Sequence, residues 1–122
     1  MKKIMIFDDD EDILDICTFI LEEDGWEVGV FPDCSDLISR VATFAPDVIL
    51  MDNWIPEEGG IVATKMLKDN SELCGIPVIY FSANSNIQLL ASEAKADHYL
   101  AKPFDLEDLK DIARSAISGK DK

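Results

Sequence analysis

A doubly wound α/β fold around a five-stranded parallel sheet is what this sequence predicts, on three observations. Short apolar runs alternate with stretches of helical periodicity, five times over in 122 residues. Two of the runs, Val48 to Met51 and Val78 to Phe81, are almost unbroken in apolar character, as expected of strands covered on both faces. No repeat, low-complexity tract or linker interrupts the alternation. A chain this long buries roughly two-thirds of its unfolded surface, enough for one core, so residues 1–122 read as one domain.

The elements follow in order. Lys3 to Phe7 is a short apolar strand that ends at acids. Ile13, Ile16, Cys17, Ile20 and Leu21 then recur at helical spacing, and Asp24-Gly25 ends that helix. Glu27 to Phe31 is a second strand. Leu37, Ile38, Val41, Phe44 and Ala45 mark a second helix, stopped by Pro46. Val48 to Met51 is the third strand, and Asp52 to Gly59 reads as a loop. Ile61, Val62, Met66 and Leu67 suggest a third helix. Pro77 precedes the fourth strand, Val78 to Phe81, and Ile87, Leu90 and Ala94 suggest a fourth helix. His98 to Leu100 is a short fifth strand. After Pro103, an amphipathic last helix carries Leu106, Leu109, Ile112, Ala113, Ala116 and Ile117. Right-handed crossovers leave few topologies, of which the flavodoxin-like order 2-1-3-4-5 leads. It places ligands at the carboxyl ends of the strands, beside the switch point between strands one and three.

Charge narrows the partners. Eleven basic against 25 acidic residues give −14, a surface that repels nucleic-acid phosphates and anionic lipid. Cations and basic protein patches are the expected partners, with neither nucleic acid nor membrane among them. The apolar runs fall far short of the roughly 18 residues that span a bilayer. The apolar start of the chain runs directly into Asp8-Asp9-Asp10-Glu11-Asp12, unlike a secretory leader, so a cytoplasmic location is expected. Cys17, Cys34 and Cys74 are odd in number and form no CxxC pair, and they read as reduced, partly buried thiols. His98 has no Cys or His companion at ligand spacing and reads as a half-exposed strand residue.

The polar residues at the strand ends carry the chemistry. Asp8, Asp9 and Asp10 follow the first strand, Asp52 the third, Ser82 the fourth and Lys102 the fifth. Taken singly, the acids could cap a helix, Asp52 could be a turn residue and Lys102 a solvated side chain. Together they converge on one rim. Two carboxylates about 4 Å apart repel by roughly 4 kcal/mol at an effective dielectric near 20, so one stays protonated or a cation joins them. An all-oxygen site with open positions suits Mg²⁺. An Asp there can attack phosphorus and form an aspartyl-phosphate, with Lys102 and the metal neutralising the phosphoryl oxygens and Ser82 donating a hydrogen bond.

Phe7-Asp8-Asp9-Asp10, Asp47-Val-Ile-Leu-Met-Asp52, Pro56 with Gly60, Pro77-Val-Ile-Tyr-Phe-Ser82-Ala83 and Tyr99-Leu-Ala-Lys102-Pro103-Phe104 stand in order along the chain. This series resembles the receiver domain of two-component response regulators, in its chemotaxis-type single-domain form, from about Lys2 to Ile117. The resemblance implies that Asp52 is the phosphoacceptor, supplied by a sensor histidine kinase or a phosphotransfer domain. It implies that Asp8 and Asp9 serve Mg²⁺ together with Asp52 and the backbone carbonyl of Trp54, with Asp9 the direct ligand of the acidic pair. By the same resemblance, Lys102 pairs with the phosphoryl group and Ser82 closes on it. Tyr99 turns inward on activation, and Pro103 follows the lysine, often through a cis peptide. Output would be altered protein binding through the fourth helix, fifth strand and fifth helix, to a target protein or a second copy. The only enzymatic expectation is self-phosphorylation from phosphodonors and autodephosphorylation.

Three departures stand out. Asn53 and Trp54 follow the acceptor, and the indole either borders the pocket and slows water entry or lies on the surface. Glu57-Glu58-Gly59 adds charge near the metal site. Lys95-Ala96-Asp97 stands where the family often has Gly-Ala-Asp, so Lys95 would carry a positive φ at a cost glycine avoids. Three other readings compete. A haloacid-dehalogenase-type phosphatase shares the strand-end Asp, but Asp12 falls where its motif needs Thr or Val. A flavodoxin-like cofactor binder needs a first loop that cradles phosphate, and five acids repel one. Within the family, a phosphate sink or a degenerate receiver is the remaining alternative.

Overall fold

The computed structural model describes residues 2–54 and 59–120. Strands β1 (Lys3–Phe7), β2 (Glu27–Phe31), β3 (Val48–Asp52), β4 (Val78–Ser82) and β5 (His98–Ala101) alternate with helices α1 (Glu11–Glu23), α2 (Leu37–Phe44), α3 (Gly59–Asp69), α4 (Ile87–Ala94) and α5 (Leu106–Lys120). The strands form one parallel sheet in the order β2-β1-β3-β4-β5, as the alternation predicts.

Because side chains alternate across a strand, the two faces of the sheet hold different cores. Ile4, Ile6, Leu50, Ile79 and Phe81 pack against Leu14, Cys17 and Leu21 of α1 and Leu109 and Ala113 of α5. Met5, Phe7, Ile49, Met51 and Val78 pack on the other face against Leu37 and Val41 of α2 and Ala63 and Leu67 of α3. A smaller cluster sets Tyr80 against Ile87, Ala91 and Ala94 of α4. β3 and β4 are buried along their whole length, which is why their sequences lack alternation.

Helix faces follow packing more than residue size. Large apolar residues at Ile61, Val62 and Met66 mark α3 in the sequence, yet Val62 is 47% and Met66 38% exposed. The buried face is Gly60, Ala63, Thr64 and Leu67, whose small side chains let the helix lie close on the sheet. α1 likewise buries Leu14 and leaves Ile16 half in solvent. α2 ends at Ala45 in a left-handed conformation (φ 53°), just before Pro46. Lys95 does the same after α4 (φ 65°), as its place in a glycine position predicts. Cys17 and Cys34 are buried and Cys74 is exposed, so only two of the three thiols are sheltered. Burial, with Asp8 nearby, pushes the Cys17 thiol up to about 12. His98 is half-buried at the start of β5. Among the described residues, no helix is long and apolar enough to cross a membrane.

Candidate functional site

The carboxyl ends of β1, β3, β4 and β5 bring the predicted residues together. Asp8 follows β1 and is 1% exposed; Asp52 ends β3 at 3%, and Ser82 ends β4 at 1%. Lys102, just past β5, reaches between the two carboxylates: its Nζ donates to Asp52 Oδ1 at 2.7 Å and to Asp8 Oδ2 at 2.9 Å. The ammonium also sits 4.4 Å from the centre of the Phe81 ring, which forms a floor beneath it. Lys102 is held by its backbone, since its amide donates to the Ser82 carbonyl at 2.9 Å. Lys102-Pro103 is a cis peptide bond.

The acids after β1 divide their roles. Asp10 caps α1, accepting from the amides of Asp12 and Ile13. Asp8 turns into the site, where Oδ1 also accepts from the Asp10 amide at 3.0 Å. Asp9 is exposed at the rim. Carboxylate oxygens of Asp8, Asp9 and Asp52 lie within 4.8 Å of one another. One ammonium cannot neutralise three carboxylates, and the donor set is all oxygen, so the residues fit a hard divalent cation.

Asp52 feels opposing forces. Burial is the largest and raises its pKa; the Lys102 hydrogen bond lowers it and the Asp8 charge raises it, for a net upward shift. Burial works to lower Lys102, but the hydrogen bonds and charges of Asp52 and Asp8 together overcome it and raise that pKa. Lys102 is therefore a fixed positive charge at the site.

A close approach holds the start of α3 against the end of β3. Asp52 Oδ2 accepts from the Trp54 amide at 3.0 Å, and the Asn53 carbonyl accepts from the Gly60 amide at 3.0 Å. A Cβ on Gly60 would lie 2.3 Å from the Asp52 carbonyl oxygen, so only glycine fits there. Trp54 is 75% exposed, in line with the surface alternative, and its amide is the group that donates to Asp52 Oδ2. Pro56, Glu57 and Glu58 lie outside the described residues. Ser82 Oγ accepts from the Asn84 amide at 3.0 Å, and Tyr99 stands outward at 43% exposure.

Residues 4–114 match the family model of the response regulator receiver domain. The chain belongs to that family. The receiver is 30% identical, over its full length, to the transcriptional regulator RpaA of Synechocystis, of which it covers 52%. It is 27% identical, over 98% of its length, to the DNA-binding response regulator MtrA of Mycobacterium tuberculosis, again covering 52%. The chain thus spans about half the length of the curated relatives it matches. A response regulator from Chloroflexus aurantiacus, 23% identical, shares the fold with a TM-score of 0.90, covering 96% of this chain and 98% of that one. Membership in this family sets aside the phosphatase and cofactor-binder readings and keeps the flavodoxin-like topology.

One contact outside the acidic cluster escapes a sequence reading. The Tyr80 hydroxyl donates to Asn53 Oδ1. The only signal was a tyrosine inside an apolar run, whose polar tip needs a partner that the sequence does not name.

Proposed function

We propose that this receiver is a phosphorylation switch that accepts a phosphoryl group on Asp52, with residues 1–122 acting as one unit. The observation that carries this reading is the buried Asp52 carboxylate, bonded to Lys102 and set among the oxygens of Asp8 and Asp9. An Asp52 oxygen forms the new P–O bond as the P–N bond of a phosphohistidine donor breaks, and the electron pair leaves with the imidazole nitrogen. Asp8, Asp9, Asp52 and, by family resemblance, the Trp54 carbonyl would hold Mg²⁺, which neutralises charge on the phosphoryl oxygens. Lys102 contributes its fixed charge to the same oxygens. Ser82, freed from the Asn84 amide, turns its hydroxyl to the group, and Tyr99 follows inward.

A histidine kinase or phosphotransfer domain is the donor. α1 offers it exposed Ile16 and Phe19, and Ile16 shares a groove with Lys102 and Phe104 beside the acceptor. Output passes through α4, β5 and α5, where Leu89, Tyr99 and Leu106 are exposed, to a separate target, a joined effector or a second copy. The test is intact mass after incubation with acetyl phosphate and Mg²⁺. The parent gains one phosphoryl group; Asp52→Ala and the chelated parent gain none. A parent that gains no mass, and binds neither Mg²⁺ nor beryllofluoride, would reduce the chain to a degenerate receiver.

A further inference from the structure

Tyr80 is the largest fully buried side chain described, and a phenylalanine would fill the same space without a hydroxyl to satisfy. That hydroxyl is bonded to Asn53, the residue directly after Asp52. Asn53 is fixed at both ends of its peptide: its amide donates to the Phe81 carbonyl at 3.0 Å, and its carbonyl accepts from Gly60 at 3.0 Å. Because faces alternate, Asp52 turns to the acidic pocket while Asn53 turns to the α4 side of the sheet. The Tyr80 ring forms the bed of α4, under Ile87 and the small residues Ala91 and Ala94. In register, Tyr80 pairs with Tyr99, so the two tyrosines are neighbours on one face, the first buried and the second 43% exposed. Burial, with the charges of Asp52 and Glu93 adding, pushes the Tyr80 phenol up to about 12, so it remains a neutral donor.

We propose that Tyr80 is a positioning residue: through its bond to Asn53 it carries the state of the Asp52 pocket to α4 and to Tyr99. This rests on the reading of Asp52 as the phosphoacceptor. A shift of the Asp52-Asn53 backbone moves the Asn53 amide, which moves the phenol tip, and the ring resets both the seat of α4 and the space open to Tyr99. The coupling is physical contact among packed groups rather than proximity in sequence.

The chain has two tyrosines, which allows a direct test. The full chain is labelled with 3-fluorotyrosine and phosphorylated with acetyl phosphate and Mg²⁺, and Tyr80→Phe assigns the Tyr99 resonance. Expected in the parent is movement of both fluorine resonances on phosphorylation. In Tyr80→Phe and in Asn53→Ala the phosphoryl mass gain persists, while the ratio of moved to unmoved Tyr99 falls by roughly two- to thirty-fold. Asn53→Ala leaves the ring under α4 in place, so a loss there is not a packing defect. A Tyr99 response of full parental size in both variants overturns the proposal, as does a parental Tyr80 resonance that stays still while Tyr99 moves. A parent that gains no mass and binds neither Mg²⁺ nor beryllofluoride overturns the acceptor reading itself and the proposal with it, and mass with the two binding measurements tells these failures apart.

Discussion

At the scale of single residues, the acidic pocket trades stability for chemistry. Asp52 is buried with a raised pKa, so its charged form is disfavoured in the folded chain. The sign follows: for a carboxyl raised on folding the penalty is absent below the unfolded value near 3.9, grows as pH rises above it and is complete above the folded pKa. Without Mg²⁺, Asp52→Asn should therefore be more stable than the parent at pH 7, by about 0.5–2 kcal/mol. The gain should fade as pH falls through the carboxylate range; urea titrations at pH 7 and pH 3.5 measure it. Gly60 marks the opposite case. Its Cβ would meet backbone atoms of Asp52 and Asn53, which cannot swing aside. Gly60→Ala should cost about 1–3 kcal/mol in urea unfolding and, if Asp52 is the acceptor as proposed, reduce phosphoryl uptake, because relief of the clash shifts Asp52.

Between elements, directed contacts set how the layers meet. Arg114 on α5 donates to both carboxylate oxygens of Asp24, which follows α1, at 2.6 and 3.1 Å. The Arg114 hydrogen bond holds Asp24 below the usual carboxylate range. A depressed pKa stabilises above the unfolded value and loses that contribution as pH falls through the folded one. The stability difference between the parent and Arg114→Ala should thus be present at pH 7 and shrink below about pH 4. It should also shrink in high salt, since the Arg114 side chain is half exposed. Lys68 on α3 makes a second tie, bonding Asp97 at 2.6 Å while Asp97 accepts from the Val78 amide at 2.8 Å. The start of β5 is thereby fixed beside β4. On the partner side, Ile16→Asp should weaken phosphoryl transfer from a kinase while leaving labelling by acetyl phosphate intact, because Ile16 stands in the groove beside Lys102 without entering the acidic cluster.

Over the whole molecule, a net charge of −14 and a three-carboxylate pocket make cation binding the property to measure. Mg²⁺ that binds only the folded chain should raise its melting temperature, by about 2.7 kcal/mol of added stability at a hundred times its dissociation constant. Asp9→Ala should abolish most of that shift while leaving the parent's melting temperature in chelator nearly unchanged, because Asp9 is exposed and belongs to no core. Scanning fluorimetry with and without chelator separates the two.

The order of elements, the sheet topology and the collection of Asp8, Asp9, Asp52, Ser82 and Lys102 on one rim were legible in the residues alone. Each of these follows from local pattern plus the rule that parallel strands end on the same side. The three-dimensional structure was needed to tell which of several equivalent residues face inward. Gly60, Ala63 and Thr64, not Val62 and Met66, line the inner face of α3, because close packing selects by fit as much as by hydrophobicity. It alone assigned Asp10 to the helix cap and Asp8 to the pocket, two neighbours that composition cannot tell apart. It alone joined Tyr80 to Asn53, 27 positions away, because a hydrogen bond needs two atoms brought together in space.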